Sequence, residues 1–299
     1  MSNKSVPINN NLQAVLPIGN YGFPFEIFLD NLKDYSNGFV NWHWQTQLEF
    51  SYVQEGAVEL QVLESVYTVS KGQGFFVTPG RLHMVKPVAG TEGIYFTIIC
   101  DPCMIYGHKG SQIFKSYVEP VTKSPLFDAL IFVEDNDWQN IIMQRLKHIL
   151  MLYTQKSNLY ELFIEDELIN IWITMVLNIF ESGTILARPL TSPDEQARIT
   201  ILINYIREHY QDKITLAAMA AAIHVSRGEC CRFFQRMIHM SPFTYLNEYR
   251  ITQSLSLLEE NKLNISSISE EVGFSSNNYF TSSFKKKMKC TPREYQKKL

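Results

Sequence analysis

The chain has 299 residues, long for a single core and comfortable for two domains, and its 45% hydrophobic content supports packed globular interiors. Its formal net charge of -3 argues against a nucleic-acid binder until it is divided. Residues 196–299 hold 15 Lys+Arg against 9 Asp+Glu, a balance of +6, whereas residues 1–195 hold 12 against 21, a balance of -9. Five cysteines, an odd number, and a polar start running from Met1 to Asn9-Asn10-Asn11 without a signal peptide speak against a secreted disulfide protein. No apolar run is long enough to span a bilayer, so a reduced cytoplasmic protein is expected.

From about Pro24 to Ile99 the chain reads as short strands separated by turns. Val58, Leu60 and Val62 alternate with Glu59 and Gln61 at strand period, and Gly56, Gly72, Gly74 and Pro79-Gly80 mark turns. Many short strands without helices predict a small barrel or jelly roll. Trp42-His43-Trp44-Gln45, Glu49, Gly56, Gly72, Pro79-Gly80 and His83 together are similar to the cupin barrel. In enzymatic cupins two histidines, a carboxylate and a further histidine hold a metal from these positions, which implies His43, Gln45, Glu49 and His83 here. Gln45 stands where a histidine would be, and its neutral amide oxygen is a poor transition-metal ligand, so neither a metal nor a cofactor is expected. A barrel mouth is a common small-molecule site. Trp42, Trp44, Tyr52, Phe76, Tyr95 and Phe96 offer aromatic faces, and His43, Glu49, Arg81 and His83 offer polar contacts suited to a sugar or a similar polar metabolite. Alternation lets only half of each strand face inward, so some of these residues belong to the barrel core.

Cys100-Asp101-Pro102-Cys103 has redox-motif spacing, but no βαβ pattern surrounds it, and a loop at a strand end is the plainer reading. The period changes between Pro125 and Phe180. Trp138, Ile141, Ile142, Leu146, Ile149 and Leu150 follow helical spacing, and Tyr160 to Phe180 is a second, more apolar helix whose Glu161, Glu165, Asp166 and Glu167 exclude a membrane span. Such a pair packs on the barrel or pairs with a second copy. Glu181-Ser182-Gly183 to Pro193-Asp194, with two prolines and a glycine, reads as a linker.

Gln196 to Tyr210 is an amphipathic helix, and beyond it one short pattern is written twice. Leu216, Met219, Ala220, Ile223, Val225 and Ser226 recur 49 residues later as Ile265, Ile268, Ser269, Val272, Phe274 and Ser275. Each copy puts an apolar stripe on a short helix, breaks, and starts a second helix. Gly273 is free to take the positive φ of a helix end. Ser226 with Glu229 should cap a helix from Arg227, and Ser276 should cap its counterpart, aligning Phe280 and Phe284 with Cys230 and Phe234. Ser241-Pro242 opens a helix of about 18 residues between the copies, and Thr291-Pro292-Arg293-Glu294 opens a closing one. Two helices joined by a turn of three or four residues form a helix-turn-helix, whose second helix enters the DNA major groove.

Ser226 to Phe234, Met240-Ser241-Pro242-Phe243-Thr244-Tyr245-Leu246 with Tyr249-Arg250, Val272 to Ser276 with Tyr279-Phe280 and Phe284-Lys285, and Thr291 to Tyr295 resemble the AraC/XylS family of transcription regulators over the last hundred residues or so. Many members carry an N-terminal cupin. The resemblance implies base contacts from Arg227, Gly228, Cys231 and Arg232 in the first head and from Asn277, Asn278, Tyr279 and Ser282 in the second. Arg232 is the strongest reader, because a guanidinium binds guanine bidentately. Lys285, Lys286, Lys287 and Lys289 are expected at phosphates, supplying salt-dependent affinity without sequence choice.

The expected architecture is multidomain α+β. A cupin-like barrel with a helical appendage spans 1–182, a linker 183–195, and an all-α DNA-binding domain 196–299, with helix-turn-helix motifs at about 214–237 and 264–288. The expected pocket comprises Trp42, His43, Trp44, Glu49, Tyr52, Arg81, His83 and Tyr95. The expected function is sequence-specific regulation of promoter DNA in response to a small molecule, activating rather than repressing, by a homodimer with RNA polymerase as a further partner and no membrane attachment or enzymatic activity. Two other readings stay open: a cupin domain that only dimerises, and a metal-dependent cupin enzyme fused to the DNA-binding part. Gln45 and the lack of a nucleophile with a paired base argue against the latter.

Overall fold

The computed structural model describes residues 4–9, 11–20, 22–123, 128–181 and 193–297. The chain divides into two compact units, Met1–Gln196 and Ala197–Leu299. The segment 183–192, most of the expected linker, lies outside the described residues, and helix already begins at Pro193 within that stretch.

Among the described residues, eight antiparallel strands build the first unit: β1 (Phe25–Asn31), β2 (Val40–His43), β3 (Leu48–Val62), β4 (Ser65–Ser70), β5 (Gly74–Val77), β6 (His83–Pro87), β7 (Gly93–Cys100) and β8 (Ala129–Phe132). Strand β3 differs from expectation, because Gly56 does not turn the chain. Its first half pairs with β5 and β7, its second half with β4 and β6, and the register slips between Val53 and Glu55. Gly56 sits just past this bulge at φ 72°, and a Cβ there would stand 1.5 Å from the Glu92 carbonyl oxygen. Only glycine lets the strand cross from one part of the sheet to the other at such close approach. A single 15-residue strand therefore serves both walls of the barrel.

Two apolar layers follow from that bend. Val58, Leu60, Val62, Phe75, Val77, Val85 and Tyr95 fill the barrel. On the opposite face Phe50, Phe76, Phe96, Ile98 and Phe132 pack under α3 (Asp137–Gln155) and α4 (Tyr160–Glu181), against Ile142, Leu146, Ile164, Leu168 and Trp172. Strand β5 is buried on both sides, which is why its sequence shows no alternation. The α4 helix also keeps a second apolar stripe, with Leu162, Phe163, Ile173, Leu177 and Phe180 exposed. Between β7 and β8 the chain forms α1 (Cys103–Tyr106), a π-helical turn over Phe114–Val118, and α2 (Glu119–Thr122). No helix among the described residues is long and apolar enough to cross a membrane.

Helix α5 (Pro193–Glu208) leads into the second unit, which continues as α6 (Leu216–Ala222), α7 (Arg227–Ile238), α8 (Pro242–Glu260), α9 (Ile265–Glu271), α10 (Asn277–Met288) and α11 (Pro292–Gln296). Each helix from α6 onward starts at a side-chain cap: Thr215, Ser226, Ser241, Asn264, Ser276 and Thr291 each accept from a backbone N–H in the first turn. Thr291 and Glu294 complete a reciprocal capping box. Such caps contribute about 1 kcal/mol each, which matters most for the shortest helices, α11 with 5 residues and α6 and α9 with 7 apiece. Ala220 and Ser269, the small residues of the repeat, are fully buried beneath their partner helices.

Candidate DNA-reading face and effector cavity

Helices α7 and α10 each bury one stripe and expose the other. On α7, Cys230, Phe234, Met237 and Ile238 face the core, while Arg227, Gly228 and Arg232 are exposed and Cys231 is half-buried. On α10, Phe280 and Phe284 face the core, and Asn277, Asn278, Tyr279 and Ser282 are exposed. Cys230 thus stands in the core position that Phe280 fills in the second copy. Gly228 offers no base-reading side chain, and a Cβ there would make only an ordinary contact, 3.4 Å from an Arg232 guanidinium nitrogen. In the second copy the Tyr279 hydroxyl accepts from Asn247 Nδ2 of α8 at 2.6 Å, and Ser282 turns its hydroxyl back onto the Tyr279 carbonyl.

The lysine run divides. Lys285, Lys286 and Lys289 are exposed, whereas the Lys287 ammonium donates to the Glu248 carbonyl at 3.0 Å and to Thr252 Oγ1 at 3.2 Å. Burial holds its pKa below the ordinary lysine value, against the pull of Glu248. Lys287 is therefore not placed for a phosphate. It ties α10 to α8, and no residue count along the run could have set it apart from its neighbours.

The two copies are joined by a clamp centred on Arg250, one of the motif residues, whose partners lie about 40 residues away. Arg250 of α8 donates from Nε to the Tyr210 carbonyl at 2.7 Å and from Nη2 to the Asp212 carbonyl at 2.8 Å, while its guanidinium carbon lies 5.6 Å from the Phe274 ring centre. The turn before the first head is thus bonded to the helix that carries the second.

In the first unit a cavity of about 250 Å³ opens among β1, β2, β3, β6 and β7, with the N-terminal segment at Lys4–Pro7 and Leu16–Pro17 along one side. Its wall is mostly aliphatic and aromatic, from Val6, Leu16, Phe28, Val40, Val85 and Ile99. Its polar lining comes from Lys4 and Ser5 at the N-terminal side and from Asp30, Tyr35, His43, Glu49, Tyr95 and Thr97. Asp30 pairs with Lys4 and accepts from the Tyr35 hydroxyl at 2.7 Å.

Of the eight expected pocket residues, His43, Glu49 and Tyr95 line this cavity, and His83 adjoins it through Glu49. The other four lie elsewhere. Trp42 is wholly buried, Trp44 donates its indole N–H to the Asn11 carbonyl, and Tyr52 stacks on Phe96 toward the helices. Arg81 is engaged with buried Asp128 at 3.2 Å. Asp30, Tyr35 and Thr97 went unnoticed because the contributions come from the N-terminal segment and two strands distant in sequence, and no local motif brings them together.

Deep in the site, His83 Nε2 lies 3.2 Å from the Glu49 carboxylate, and the Gln45 amide donates to the same oxygen. Burial pushes Glu49 up, but the attraction of His83 and His43 and the amide of Gln45 bring it below its usual value. Burial likewise pushes His83 down, and the facing Glu49 more than reverses it. His43 has no such direct partner, and burial together with the repulsion of His83 lowers it to about 4. The Cys100 thiol is pushed up by burial and the Cys103 thiol to about 11 from the same first cause, so neither has thiolate character at neutral pH. Cys100 closes β7 and Cys103 opens α1, a strand-end loop.

Two family models match the chain, an AraC-like ligand binding domain over residues 32–171 and a helix-turn-helix domain over residues 219–298. An uncharacterized HTH-type transcriptional regulator of Bacillus subtilis (strain 168), YdeC, is 31% identical over 294 residues, covering 98% of this chain and 99% of its own length. The chain belongs to the AraC/XylS family of transcription regulators. It is a DNA-binding regulator with an AraC-like ligand-binding domain, a cupin-like sheet domain followed by a helical helix-turn-helix domain. The transcriptional regulatory protein HptR of Staphylococcus aureus (strain NCTC 8325) is 34% identical over 96 residues, 32% of this chain and 38% of that protein. Among solved structures, ToxT of Vibrio cholerae matches with a TM-score of 0.41 at 15% identity, over 91% of this chain and 94% of its own. The C-terminal domain of AraT, a response regulator of Geobacillus stearothermophilus, matches with a TM-score of 0.33 at 28% identity, over 36% of this chain and 87% of its own.

Proposed function

We propose that this regulator is an effector-controlled transcription activator that binds a two-part promoter site as a homodimer. The observation that carries the reading is the paired exposure of α7 and α10. Both present short polar and cationic side chains, while Phe234 and Phe284 anchor them from behind. Arg227, Gly228, Cys231 and Arg232 form the face toward one half of the site, Gly228 through its backbone alone, and Asn277, Asn278, Tyr279 and Ser282 read the other. Guanidinium groups in the first head suit guanine and carboxamides in the second suit adenine. Lys285, Lys286 and Lys289 meet phosphates. Helix α8, with 19 residues and hence about 29 Å long, separates the heads by nearly the spacing of successive major grooves, about 34 Å. Selection of bound duplexes from a random pool tests this. Two conserved blocks about one helical turn apart are expected, and a single unsplit block would refute it.

The cavity is the effector site. At about 250 Å³, mostly aliphatic with polar groups gathered at Asp30, Tyr35, His43, Glu49 and Thr97, it favours a small effector with an apolar body and a hydrogen-bonding end. A sugar suits it less well, because much of the wall, from Val6, Leu16, Phe28, Val40, Val85 and Ile99, is apolar and offers nothing to a ring of hydroxyls. A thermal-shift screen reads this directly. A ligand present at a hundred times its dissociation constant stabilises by about 2.7 kcal/mol. The exposed stripe on α4, from Leu162 to Phe180, supports the homodimer, and a monomer mass independent of concentration would end that part of the reading. Activation, through contact with RNA polymerase in the cytoplasm, follows by analogy with the family, and transcription from a selected site in a purified system checks it.

A further inference from the structure

Tyr279, in the first turn of α10, is 49% exposed, yet it is fixed at three points. Its backbone N–H donates to the capping Ser276 Oγ at 3.1 Å. Its ring stands edge-on to Phe274, with centres 5.7 Å apart and planes at 65°. Its hydroxyl oxygen accepts from Asn247 Nδ2 of α8 at 2.6 Å. Phe274 is itself buried, and the Arg250 guanidinium that bonds the Tyr210 and Asp212 carbonyls lies over its ring. The support of Tyr279 therefore comes from α8 and from the hinge of the second copy, not from α10 alone. The alignment of Phe280 with Cys230 puts Glu229 at this place in the first copy, so the arrangement belongs to the second head only.

We propose that Asn247 is a positioning residue that sets Tyr279 as a fixed hydrogen-bond donor toward DNA, where its partner is an acceptor atom of the duplex, at a phosphate or at a base edge. A phenol oxygen carries one hydrogen and can both donate and accept. The Asn247 amide donates to that oxygen, so the phenol's own hydrogen is left for a different partner, and that partner has to accept. Phosphate oxygens, purine N7, guanine O6 and thymine O4 qualify, whereas the amino groups of adenine and cytosine, which only donate, do not. Because the ring is already ordered by Phe274 and Asn247, little side-chain freedom remains to be lost on binding. This role rests on the reading of α10 as a DNA-facing helix. It makes α8 more than a spacer between the heads, since a side chain of α8 chooses which way a group of the second head can bond.

The test is a double-mutant cycle in the full chain, read as affinity for the duplex recovered by selection from a random pool. Tyr279→Phe keeps the ring on Phe274 and removes only the hydroxyl, and it should bind about three- to tenfold more weakly. Asn247→Ala should cost about threefold in the wild-type background and nothing in the Tyr279→Phe background, a dependence that a merely structural asparagine would not show. Asn247→Asp reports the direction of the bond. Its carboxylate takes the Tyr279 hydrogen and turns the donor back, so its loss should exceed that of Asn247→Ala and should shrink in the Tyr279→Phe background to the part due to the added charge. A repeat selection with Tyr279→Phe separates the two sources of acceptor: relaxed preference at one position marks a base edge, and an unchanged preference with uniformly weaker binding marks a phosphate. Tyr279→Phe that binds as wild type does, equal losses from Asn247→Ala in both backgrounds, or Asn247→Asp no worse than Asn247→Ala would each overturn the role. If Asn247→Asp fails to fold, the cycle with Asn247→Ala still decides. A selection that recovers no site would end the DNA-reading proposal and this role with it, whereas a two-block site bound equally by Tyr279→Phe would strike this role alone.

Discussion

The two helix-turn-helix copies share a pattern and differ at its hinge. Both breaks need a left-handed residue: His224 takes φ 57° in the first copy and Gly273 takes φ 81° in the second. Histidine tolerates that conformation at modest cost, so the first copy can do without glycine. The second cannot, because a Cβ at Gly273 would stand 2.5 Å from the Tyr210 carbonyl oxygen and 2.6 Å from that of Gln211. The difference is one of neighbours rather than of the motif itself. The second hinge is pressed against the turn that precedes the first head, and that contact, together with Arg250, sets one head against the other.

Gly273→Val should break the comparison most severely. It adds a β-branched side chain at positive φ and drives it into two backbone carbonyls, for a loss on the order of 4 kcal/mol or more in chemical unfolding of the DNA-binding unit. His224→Gly should change stability by less than about 1 kcal/mol. Similar losses for the two would show that the hinges are equivalent. Arg250→Ala comes next. It removes two charge-assisted hydrogen bonds and leaves the Tyr210 and Asp212 carbonyls without those donors, costing about 2 to 4 kcal/mol. It should also blur the spacing between the half-sites recovered by selection, whereas Arg250→Lys, which cannot form the same fork, should restore only part of either property.

Arg232→Ala should have a smaller effect and a different readout. Stability should hold, because the side chain is exposed. Specific affinity should fall by about 1 to 3 kcal/mol, with relaxed preference at one base position in a binding-site selection. An unchanged preference would remove Arg232 from the reading face.

How far the sequence carried differs between the units for the same physical reason. The helical unit was legible nearly residue by residue: Ser226, Ser241, Ser276 and Thr291 cap where expected, and Cys230 fills the core place of Phe280. Caps and apolar stripes are local, written within a few residues of where they act. The barrel was legible as a class but not in its pocket. Gly56 reads as a turn in sequence, and only its approach to Glu92 makes it a bend inside one long strand. The cavity draws on Lys4–Pro7, β1, β2, β3, β6 and β7, a set created by strand pairing that no spacing records. Arg250 and Lys287 belong to the same class, for what each side chain does depends on a carbonyl about 40 residues away.

The finest contrast lies within the lysine run itself. Lys285→Ala and Lys286→Ala each remove an exposed charge on α10, so each should lower the slope of log affinity against log salt by about 0.9 without altering the unfolding midpoint. Lys287→Ala should do the reverse. Its ammonium is taken up by Glu248 and Thr252, so the salt slope should stay as in wild type, while stability falls by about 1 to 2 kcal/mol because the Glu248 carbonyl loses a charged donor. Lys287→Arg separates charge from fit: a phosphate contact would survive the change, but the planar guanidinium does not match a site built around a compact ammonium. A reduced salt slope in Lys287→Ala would mean that the tether opens on DNA and the side chain swings out to the backbone. An unchanged slope with lost stability would make Lys287 part of the joint between α8 and α10.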